Sequence, residues 1–480
     1  MEVRTRFAPS PTGYMHIGNL RTALYAYLHA RKNGGKFILR IEDTDQARLV
    51  EDSVKVIYES LRVTGLEHDE GPDMGGPVGP YTQSERRPLY RQYAEQLVKE
   101  GRAYRCFCEK AEKQEEPGEP DEGQSIFGYD GRCGRLAEAE IKQKLDSGLP
   151  FVIRQKIDKE GSTSFKDFIY GDIVVENKQL DDQILLKRDG FPTYNFANVV
   201  DDHLMGITHV MRGCEYISST PKYILLYRAF GWEIPEHIHL PHILGPDGKK
   251  LSKREGSAAL SDLLAKGYLP EAILNYIALL GWNPGTEQEF FTKDQLVGAF
   301  DIARIGKAPA IFDETKMTWL NAQHVKALSP EKAHELFLKF YPDTVIKGFD
   351  AKKLSGYIQG KVEKLGDLPA MTSFLTGFDE NYSTELFVNK KNKTTLESCK
   401  ETLTDLHGLL SGVDAWEFNP LLNGVMGYSA QKPLKLGAVM WPLRIALSGM
   451  TVTPTGAIEI AELLGRDEAL RRIALAINRL

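Results

Sequence analysis

The sequence predicts an α/β domain built on a parallel sheet, interrupted by an α+β insertion and followed by an all-helical C-terminal half. Residues 2–41 show strand, helix and strand patterns in succession, as a βαβ unit does. Residues from about 105 to 190 differ in character, with an acidic, Pro/Gly-rich stretch followed by β-like runs. After residue 330, helix formers dominate and β-branched runs become rare. These three observations predict the three parts and their order.

The first elements follow from residue spacing and from the residues that end each run. Residues 2–8 have a strand pattern that stops at P-S-P-T-G, a run that cannot continue a ladder of backbone hydrogen bonds. Residues 17–32 place apolar side chains at helical spacing up to an Asn-Gly-Gly stop. Residues 36–41 form a second strand, and helical patterns follow at 51–64 and 86–100. A strand–helix–strand unit of this length predicts parallel strands.

The middle of the chain is predicted as an insertion into the first domain. β-like runs occur at 151–157 and 172–176, and strand–helix patterning resumes at 192–232. We interpret 235–256 as a loop with a basic run. The helical region after residue 330 is expected to break at Pro369 and Pro420.

Composition excludes several classes of protein. The chain has 480 residues, of which 42% are hydrophobic and 26% charged, which is typical of soluble globular proteins and not of disordered or disulfide-stapled chains. Its net charge is −6, but residues 109–123 alone carry −5, so an RNA partner stays possible on charge grounds. The N-terminus lacks a signal-peptide pattern, the longest apolar stretch (272–282) is too short to span a membrane, and five cysteines suit a reducing compartment. We therefore expect a cytoplasmic protein.

The turn after the first strand carries residues suited to a phosphate. A helix N-terminus presents unpaired N–H groups and positive potential, and the helix at 17–32 begins directly after His16. Gly18 lets a base or a phosphate approach the backbone, and His16 can donate a hydrogen bond to a phosphate oxygen. Neither G-x-G-x-x-G nor G-x-x-x-x-G-K-[ST] occurs, so the dinucleotide and P-loop sites are not predicted.

A basic loop is the second phosphate-binding candidate. The segment GPDGKKLSKR at 245–254 has four basic residues in its last six positions. Glycines make such a loop mobile enough to close on a triphosphate. The alternative interpretation is a solvated basic turn.

Taken together, the two elements resemble the signatures of the class I aminoacyl-tRNA synthetases. The HIGH signature corresponds to H-I-G-N at 16–19, and KMSKS corresponds to K-L-S-K-R at 250–254. The wider context, with R-F-A-P-S-P-T-G before HIGN, then I-E-D-T-D and P-T-Y-N-F-A-N-V-V-D-D-H-L-M-G, resembles the bacterial glutamyl-tRNA synthetase family. Asn19 replaces the second histidine of HIGH, so the role of that histidine is not carried over.

The resemblance implies a fold and a chemistry. The α-carboxylate of glutamate would attack the α-phosphorus of ATP, and the terminal adenosine of tRNA(Glu) would then take the acyl group, with Mg²⁺ accompanying the ATP. It implies a Rossmann-like class I catalytic domain at 1–104 and 194–240, and an acceptor-end-binding insertion at 105–193. A KMSKS-loop and stem-contact domain would follow at 241–330, and a helical anticodon-binding region at 331–480. Catalysis is assigned to His16, Lys250 and Lys253. ATP binding is assigned to Thr12, His16, Gly18, Asn19, Lys250, Ser252 and Lys253.

A glutamate pocket must hold one ammonium and two carboxylates. Arginine forks pair with carboxylates, which makes Arg6 and Arg212 candidates, and Glu42 can receive the ammonium. Which arginine pairs with which carboxylate stays open, although we favour Arg6 for the side-chain end. The resemblance adds further pocket residues: Ala8, Ser10, Tyr194 and Asn198. Without the resemblance, Arg6 would be interpreted as a surface strand residue and Tyr194 as a half-buried core aromatic.

Three cysteines form a possible zinc site in the insertion. Cys106, Cys108 and Cys133 have the spacing C-x-C-x24-C, and structural zinc takes four ligands. In zinc-bearing members of the family the fourth ligand is a histidine two residues after the third cysteine, where this chain has Arg135, or a tyrosine four residues before it, where this chain has Tyr129. The alternative is three reduced cysteines packed as small hydrophobic residues. Cys214 is interpreted as core or pocket wall.

The C-terminal half is expected to read the anticodon, and the chain to act as a monomer on tRNA(Glu) and L-glutamate. Family members restricted to tRNA(Glu) carry an anticodon-reading arginine at a site that falls on Gln359. A neutral side chain there predicts a non-discriminating enzyme that also charges tRNA(Gln). The alternatives are a short relative that glutamylates a modified tRNA base, a nucleotidylyltransferase, and an inactive RNA-binding paralogue. The helical half argues against the first two, and the retained motifs argue against the third.

Overall fold

The computed structural model describes residues 2–11, 13–45, 50, 52–108, 129, 131–249, 251, 259–432 and 434–480. The chain divides into two units. The first contains Met1–Leu263 and Ile273–Glu314, and the second contains Leu264–Ala272 and Thr315–Leu480. Within the described ranges, no helix is both long and apolar enough to cross a membrane.

The strands in chain order are β1 (Arg4–Phe7), β2 (Lys36–Leu39), β3 (Ala103–Cys106), β4 (Val152–Gln155), β5 (Ser162–Asp167), β6 (Gly171–Glu176), β7 (Ile184–Leu186), β8 (His209–Gly213), β9 (Glu236–Leu240), β10 (Ile243–Leu244) and β11 (Ala310–Ile311).

The helices of the first 300 residues are α1 (Ile17–Lys32), α2 (Ser53–Thr64), α3 (Arg87–Lys99), α4 (Glu138–Asp146), α5 (Tyr194–Leu204), α6 (Thr220–Phe230), α7 (Leu260–Ala265), α8 (Pro270–Ala278) and α9 (Lys293–Ala299). The later helices are α10 (Glu314–Ala327), α11 (Pro330–Phe337), α12 (Asp343–Gly348), α13 (Ala351–Ile358), α14 (Leu368–Met371), α15 (Ser373–Thr376), α16 (Leu396–Ser411), α17 (Phe418–Gln431), α18 (Leu436–Ser448), α19 (Ala457–Leu464) and α20 (Arg466–Arg479).

A parallel sheet forms the centre of the first unit. β1 and β2 are parallel and joined by α1, so the first βαβ unit is present as the sequence predicts. The backbone N–H of Thr208 donates to the carbonyl of Arg4 at 3.0 Å, which places the start of β8 beside β1. β8 pairs in parallel with β9. The strand order β2, β1, β8, β9 brings the carboxyl ends of four strands to one edge, where open α/β sheets bind ligands.

The expectation of a loop at 235–256 is wrong for its first part. Glu236–Leu240 forms β9, an interior strand between β8 and β5. His237 and His239 alternate with apolar residues and made the segment look half polar. Both histidines are nevertheless buried, because both faces of the strand are covered, as the burial of four consecutive residues from His237 to Leu240 shows. Period-2 polarity predicts one solvated face only when the strand is not covered on both faces.

The segment between β3 and β7 holds antiparallel strands that the sequence analysis only partly located. β3, β4 and β7 form one antiparallel sheet, and β5 and β6 form an antiparallel pair. β5 alternates exposed and buried residues along its whole length. The sequence pattern does not predict this strand, because its buried positions include Thr163 and Asp167, which are polar.

The described residues of the second unit form helices without a regular strand. Its core consists of buried aliphatic and aromatic side chains from α13, α16, α18, α19 and α20. The expected breaks at Pro369 and Pro420 coincide with helix starts, since each proline lies in the first turn of α14 or α17. A proline there removes an N–H that would have no partner within the helix.

Candidate active site

Asp202 on α5 holds two buried arginines. Arg6 on β1 donates from Nε to Oδ1 at 3.0 Å and from Nη2 to Oδ2 at 3.2 Å, and its Nη1 donates to the carbonyl of Met211 at 3.2 Å. Arg40, which follows β2, donates from Nη1 to Oδ1 at 2.7 Å. Burial alone would raise the pKa of Asp202, but the two guanidiniums instead hold it down at about 2. Asp202 is therefore a permanent carboxylate that orients Arg6.

Asp201, the neighbour of Asp202, anchors a second set of polar groups. Its carboxylate accepts from Arg86 Nε at 2.6 Å, from the hydroxyl of Tyr90 at 2.7 Å and from Gln83 Nε2 at 2.9 Å. Arg40 Nε lies 3.8 Å from the same carboxylate. The two aspartates thus join α5 to α3 and to β2 through fully buried hydrogen bonds.

Sequence reasoning missed this network. The sequence analysis assigns no role to Asp201, Asp202, Arg40 or Arg86. The available signal was two consecutive acids inside the apolar helical run N-V-V-D-D-H-L at 198–204. Adjacent carboxylates in a buried helix require cationic partners, because an unpaired buried charge is very costly.

Glu42 presents an unpartnered carboxylate oxygen to the pocket. Its Oε1 accepts from Arg40 Nη2 at 2.8 Å and lies 3.5 Å from Gln83 Nε2. Its Oε2 is buried and has no hydrogen-bond partner in the described part of the chain. Burial raises the pKa of Glu42, although the positive charges of Arg40, Arg6 and Arg212 act in the opposite direction. A cationic group placed against Oε2 would satisfy this oxygen and stabilise the carboxylate.

Arg212 lies in a cage of tyrosines at the end of β8. Its guanidinium carbon is 4.0 Å from the ring centre of Tyr216 and 5.2 Å from that of Tyr223, and Nη2 donates to the hydroxyl of Tyr194. Nε and Nη1 are buried and lack a hydrogen-bond partner among the described residues. The N–H of Nε points away from Nη1, so these two nitrogens can each donate a separate hydrogen bond to an acceptor in the pocket.

The charges of the site do not cancel. Three arginines face three carboxylates in the network, namely Arg6, Arg40 and Arg86 with Glu42, Asp201 and Asp202. Arg212 adds one further positive charge without a carboxylate of its own. The pocket therefore favours a ligand with a net charge of −1 that also offers a cation to Glu42.

His16 caps α1 and has a defined tautomer. Its Nδ1 accepts the backbone N–H of Gly18 at 3.1 Å. Since a backbone N–H can only donate, Nδ1 must carry the lone pair, and neutral His16 carries its proton on Nε2. A Cβ at Gly18 would lie 3.3 Å from Nδ1, so a side chain there would crowd the imidazole. In this tautomer Nε2 is the ring nitrogen that can donate a hydrogen bond.

The other predicted site residues fall into two groups. Tyr194 and Ala8 are half-buried and Asn198 is buried, with its amide donating to the carbonyl of Tyr194 at 3.0 Å. Ser10 and Asn19 are exposed. Four residues assigned to ATP lie outside the described residues: Thr12, Lys250, Ser252 and Lys253.

The three predicted zinc ligands and Tyr129 form one cluster. The sulfurs of Cys106, Cys108 and Cys133 all lie within 4.8 Å of one another, and Cys108 Sγ is 3.4 Å from Cys133 Sγ. The Tyr129 hydroxyl is 3.3 Å from Cys106 Sγ and 3.7 Å from Cys108 Sγ. Tetrahedral zinc with Zn–S bonds near 2.3 Å separates its sulfur ligands by about 3.8 Å. The donor set and its spacing therefore fit zinc.

The side chain of Gln359 caps the C-terminal end of α10 in the second unit. Its Nε2 donates to the carbonyl of Val325 at 3.0 Å and to that of Leu328 at 2.9 Å. These carbonyls belong to the last turn of α10 and the residue beyond it. The side chain is half-buried, so the alternative of a solvent-facing helix residue does not describe it.

Comparisons with known proteins give consistent matches. Residues 2–319 match the family described as tRNA synthetases class I (E and Q), catalytic domain, and residues 328–477 match an anticodon binding domain. Glutamate–tRNA ligase from Clostridium botulinum is 53% identical over 479 residues, which cover 100% of this chain and 99% of the relative. The Clostridium tetani enzyme of that name is 51% identical over 487 residues, covering 100% of this chain and 98% of the relative.

Solved structures agree with these matches. A crystal structure of a glutamate tRNA ligase from Elizabethkingia meningosepticum in complex with its amino acid superposes with a TM-score of 0.88 at 35% sequence identity, covering 100% of both chains. Glutamate-tRNA synthetase from Elizabethkingia anophelis gives a TM-score of 0.86, also at 35% identity and with 100% of both chains covered. The predicted fold class, an α/β catalytic part followed by a helical anticodon-binding half, is confirmed.

Proposed function

This chain belongs to the glutamate and glutamine family of class I tRNA synthetases, and we infer that it ligates L-glutamate to tRNA(Glu) with ATP through a glutamyl-adenylate intermediate. The sequence-based resemblance to bacterial glutamyl-tRNA synthetases is thereby confirmed. The observation that carries the inference is the pairing of Arg212, a cation with two open donors, with Glu42, a carboxylate with one open acceptor. Glutamate is complementary to this pair, because it has a net charge of −1, two carboxylates and one ammonium.

Each predicted pocket residue has a proposed role. Glu42 Oε2 would accept a hydrogen bond from the ammonium, and Arg212 would hold one carboxylate through an open N–H group of its guanidinium. Arg6 can contribute only its outer N–H groups, since three of its donors already bind protein oxygens. The pocket wall would be completed by Ala8, Ser10, Tyr194 and Asn198.

The adenylation step requires that the substrates be positioned and that the negative charge on the phosphates be stabilised. It does not require a protein nucleophile. Bound glutamate is oriented by buried side chains, so its α-carboxylate can approach the α-phosphorus of ATP in line. His16 would donate from Nε2 to a phosphate oxygen as negative charge increases, and Gly18 would let the nucleotide approach the start of α1. Mg²⁺, when bound with ATP, supplies further charge neutralisation on the triphosphate.

Charging assays test the function directly. The full-length protein, ATP and labelled glutamate are incubated with tRNA(Glu), in parallel with labelled glutamine and labelled aspartate. Charging with glutamate alone is expected, because a neutral amide leaves Arg212 unpaired and aspartate is one methylene too short. Charging with glutamine in preference to glutamate, or no charging at all, would contradict the proposal.

Lys253 is proposed as a catalytic residue from the KMSKS motif, with Lys250 and Ser252 assisting. Replacement by alanine (Lys253→Ala) is expected to slow adenylate formation about 100-fold or more, because one preorganised donor to the phosphates is lost. ATP–pyrophosphate exchange measures this step, and tRNA binding should be unchanged. Lys249→Ala is the matched control, since Lys249 is exposed and lies 3.7 Å from Asp247. Near-normal exchange by Lys253→Ala would remove the residue from the catalytic role.

We also propose that the enzyme charges tRNA(Gln). The support is Gln359, a neutral residue at the position of the anticodon-reading arginine. Its side-chain amide donates to two backbone carbonyls. Arginine can make the same bonds and is favoured near a helix C-terminus, so Gln359→Arg should fold. The variant is expected to lower charging of tRNA(Gln) about 10-fold relative to tRNA(Glu). Lys361→Arg, an exposed change in the same turn, is the control. Failure of the wild-type enzyme to charge tRNA(Gln) would refute the proposal.

We propose that Cys106, Cys108 and Cys133 hold a structural zinc ion with Tyr129 as fourth ligand. The spacing of the four donor atoms supports this proposal. Cys133→Ser is expected to remove one equivalent of zinc and to weaken the association of β3 with the segment at 131–136. Elemental analysis of the purified protein measures the zinc, and retention of the full zinc content by the variant would exclude this cluster.

The domain boundaries at 104, 193, 240 and 330 stay predictions, as do the monomeric state and the cytoplasmic location. We propose that the insertion at 105–193 receives the acceptor end of the tRNA and that 241–330 contacts its stem. The family match at 328–477 supports anticodon binding by the helical half.

A further inference from the structure

Arg212 is held in place mainly by aromatic rings. Only one of its guanidinium nitrogens, Nη2, has a hydrogen-bond partner among the described residues, the hydroxyl of Tyr194. The rings of Tyr216 and Tyr223 form the rest of the cage, with centres 4.0 and 5.2 Å from the guanidinium carbon. Tyr194 and Tyr216 are half-buried, whereas Tyr223 is only 1% exposed. The orientation of the guanidinium therefore depends on the groups that fix the ring of Tyr223.

Asn195 fixes the hydroxyl of Tyr223. Tyr223 lies on α6, and its hydroxyl donates at 2.9 Å to Oδ1 of Asn195, the second residue of α5. Burial raises the pKa of Tyr223, although the charge of Arg212 acts in the opposite direction, so the hydroxyl keeps its proton near neutral pH. A buried hydroxyl that loses its acceptor is unfavourable, and its loss here favours a different position of the ring.

A chain of side-chain amides continues from Asn195 into the antiparallel sheet of β3, β4 and β7. Asn195 Nδ2 donates to Oε1 of Gln183 at 3.0 Å, and Gln183 Nε2 donates to Oε1 of Gln155 at 2.7 Å. Gln155 is the last residue of β4, and Gln183 directly precedes β7. Both glutamines are buried, and the backbone N–H of Gln155 donates to the carbonyl of Gln183 at 3.0 Å. The backbone of this sheet therefore anchors the far end of the chain.

The hydrogen bonds of the chain all run in one direction. Asn195 and Gln183 each accept one bond with the amide oxygen and donate one from the amide nitrogen. A run of satisfied buried hydrogen bonds fixes side-chain geometry more sharply than apolar packing, because each bond restricts both a distance and an angle. Binding groups must be held within about 0.5 Å of their working position by residues around them.

We propose that Asn195 and Gln183, acting through Tyr223, are positioning residues that orient Arg212 toward a carboxylate of glutamate. This inference rests on the glutamate pocket proposed above. It gives the buried amide chain a role in substrate binding, and it predicts that changes at α5 and at the start of β7 alter the affinity for glutamate.

Two variants remove the bond between Asn195 and Tyr223 from opposite sides. Tyr223→Phe keeps the ring against Arg212 and deletes only the hydroxyl, and Asn195→Ala deletes the acceptor. Each is expected to raise the KM for glutamate in ATP–pyrophosphate exchange about 10-fold, with kcat and the KM for ATP within about threefold of wild type. Gln183→Met keeps the side-chain shape and loses both hydrogen bonds, and it should raise the glutamate KM about threefold.

A double variant separates positioning from a general loss of stability. Because both changes delete the same bond, Asn195→Ala combined with Tyr223→Phe should have the KM of Asn195→Ala within about twofold, rather than the product of two effects. Tyr81→Phe is the matched control, since the buried hydroxyl of Tyr81 donates at 2.6 Å to Glu70, which is not assigned to the pocket. This control should lower stability without changing the glutamate KM.

The same assay distinguishes this inference from the function on which it rests. The positioning role is overturned if Arg212→Gln raises the glutamate KM and Tyr223→Phe leaves it within about twofold of wild type. It is equally overturned if the effects of Asn195→Ala and Tyr223→Phe multiply in the double variant. An unchanged glutamate KM in Arg212→Gln would overturn the glutamate pocket itself, and the positioning role with it.

Discussion

Replacing Arg212 by glutamine is expected to raise the KM for glutamate about 100-fold or more, while the KM for ATP stays within about twofold of wild type. Arg212 is the one cation of the pocket that has no carboxylate partner among the described residues. Without it, a carboxylate of the substrate would be buried with no positive charge opposite. Glutamine is short and neutral and can satisfy at most the hydroxyl of Tyr194.

Steady-state ATP–pyrophosphate exchange at varied glutamate concentration measures this effect. Arg212→Lys keeps the charge but not the planar guanidinium, so its KM for glutamate is expected to lie between those of the wild type and of Arg212→Gln. Arg228→Gln, an exposed arginine of the same unit, is the matched control and should leave the KM unchanged. An unchanged glutamate KM in Arg212→Gln would refute the pocket assignment.

Asp202→Asn is expected to destabilise the folded protein by about 3–5 kcal/mol, because it leaves two buried arginines without their shared negative charge. Asparagine has the same shape, but only one of its terminal atoms accepts hydrogen bonds. If that oxygen keeps the bonds from Arg6 Nε and Arg40 Nη1, the amide NH₂ must face Arg6 Nη2, which is also a donor. Urea unfolding followed by tryptophan fluorescence measures the loss.

The same pair of arginines makes this stabilisation depend on pH. The pKa of Asp202 is about 2 in the folded protein, below its ordinary value of 3.8. A carboxyl group whose pKa is lowered on folding contributes stability above the unfolded value and loses it as the pH falls toward the folded value. The difference in stability between wild type and Asp202→Asn should therefore be constant near neutral pH and shrink between about pH 4 and pH 2.

Glu59→Gln is a suitable comparison for Asp202→Asn. Glu59 pairs with Arg62 at 2.6 Å on the exposed face of α2. An exposed pair contributes little, so this variant should unfold at the wild-type urea concentration. A loss of stability equal in both variants would mean that the buried network has no special role.

The site residues differ in how far the sequence could predict them. His16 and Gly18 were predictable, because a helix N-cap and its second residue depend on neighbours only a few positions away. Arg6 was predicted as a carboxylate-binding arginine, and the structure shows that its first carboxylate is Asp202, which lies 196 positions further along the chain. No local pattern shows which of several arginines a distant aspartate will hold.

The sequence by itself determined the first βαβ unit, the helical C-terminal half and the family, because each depends on periodicity or on contiguous motifs. Only the tertiary structure decided that β9 is an interior strand, that Asp201 and Asp202 are buried among three arginines, and that Arg212 is left with open donors. Charge balance in a buried site is a property of all the groups that the fold brings together. It depends on contacts between residues far apart in the chain, which spacing along a single sequence does not encode.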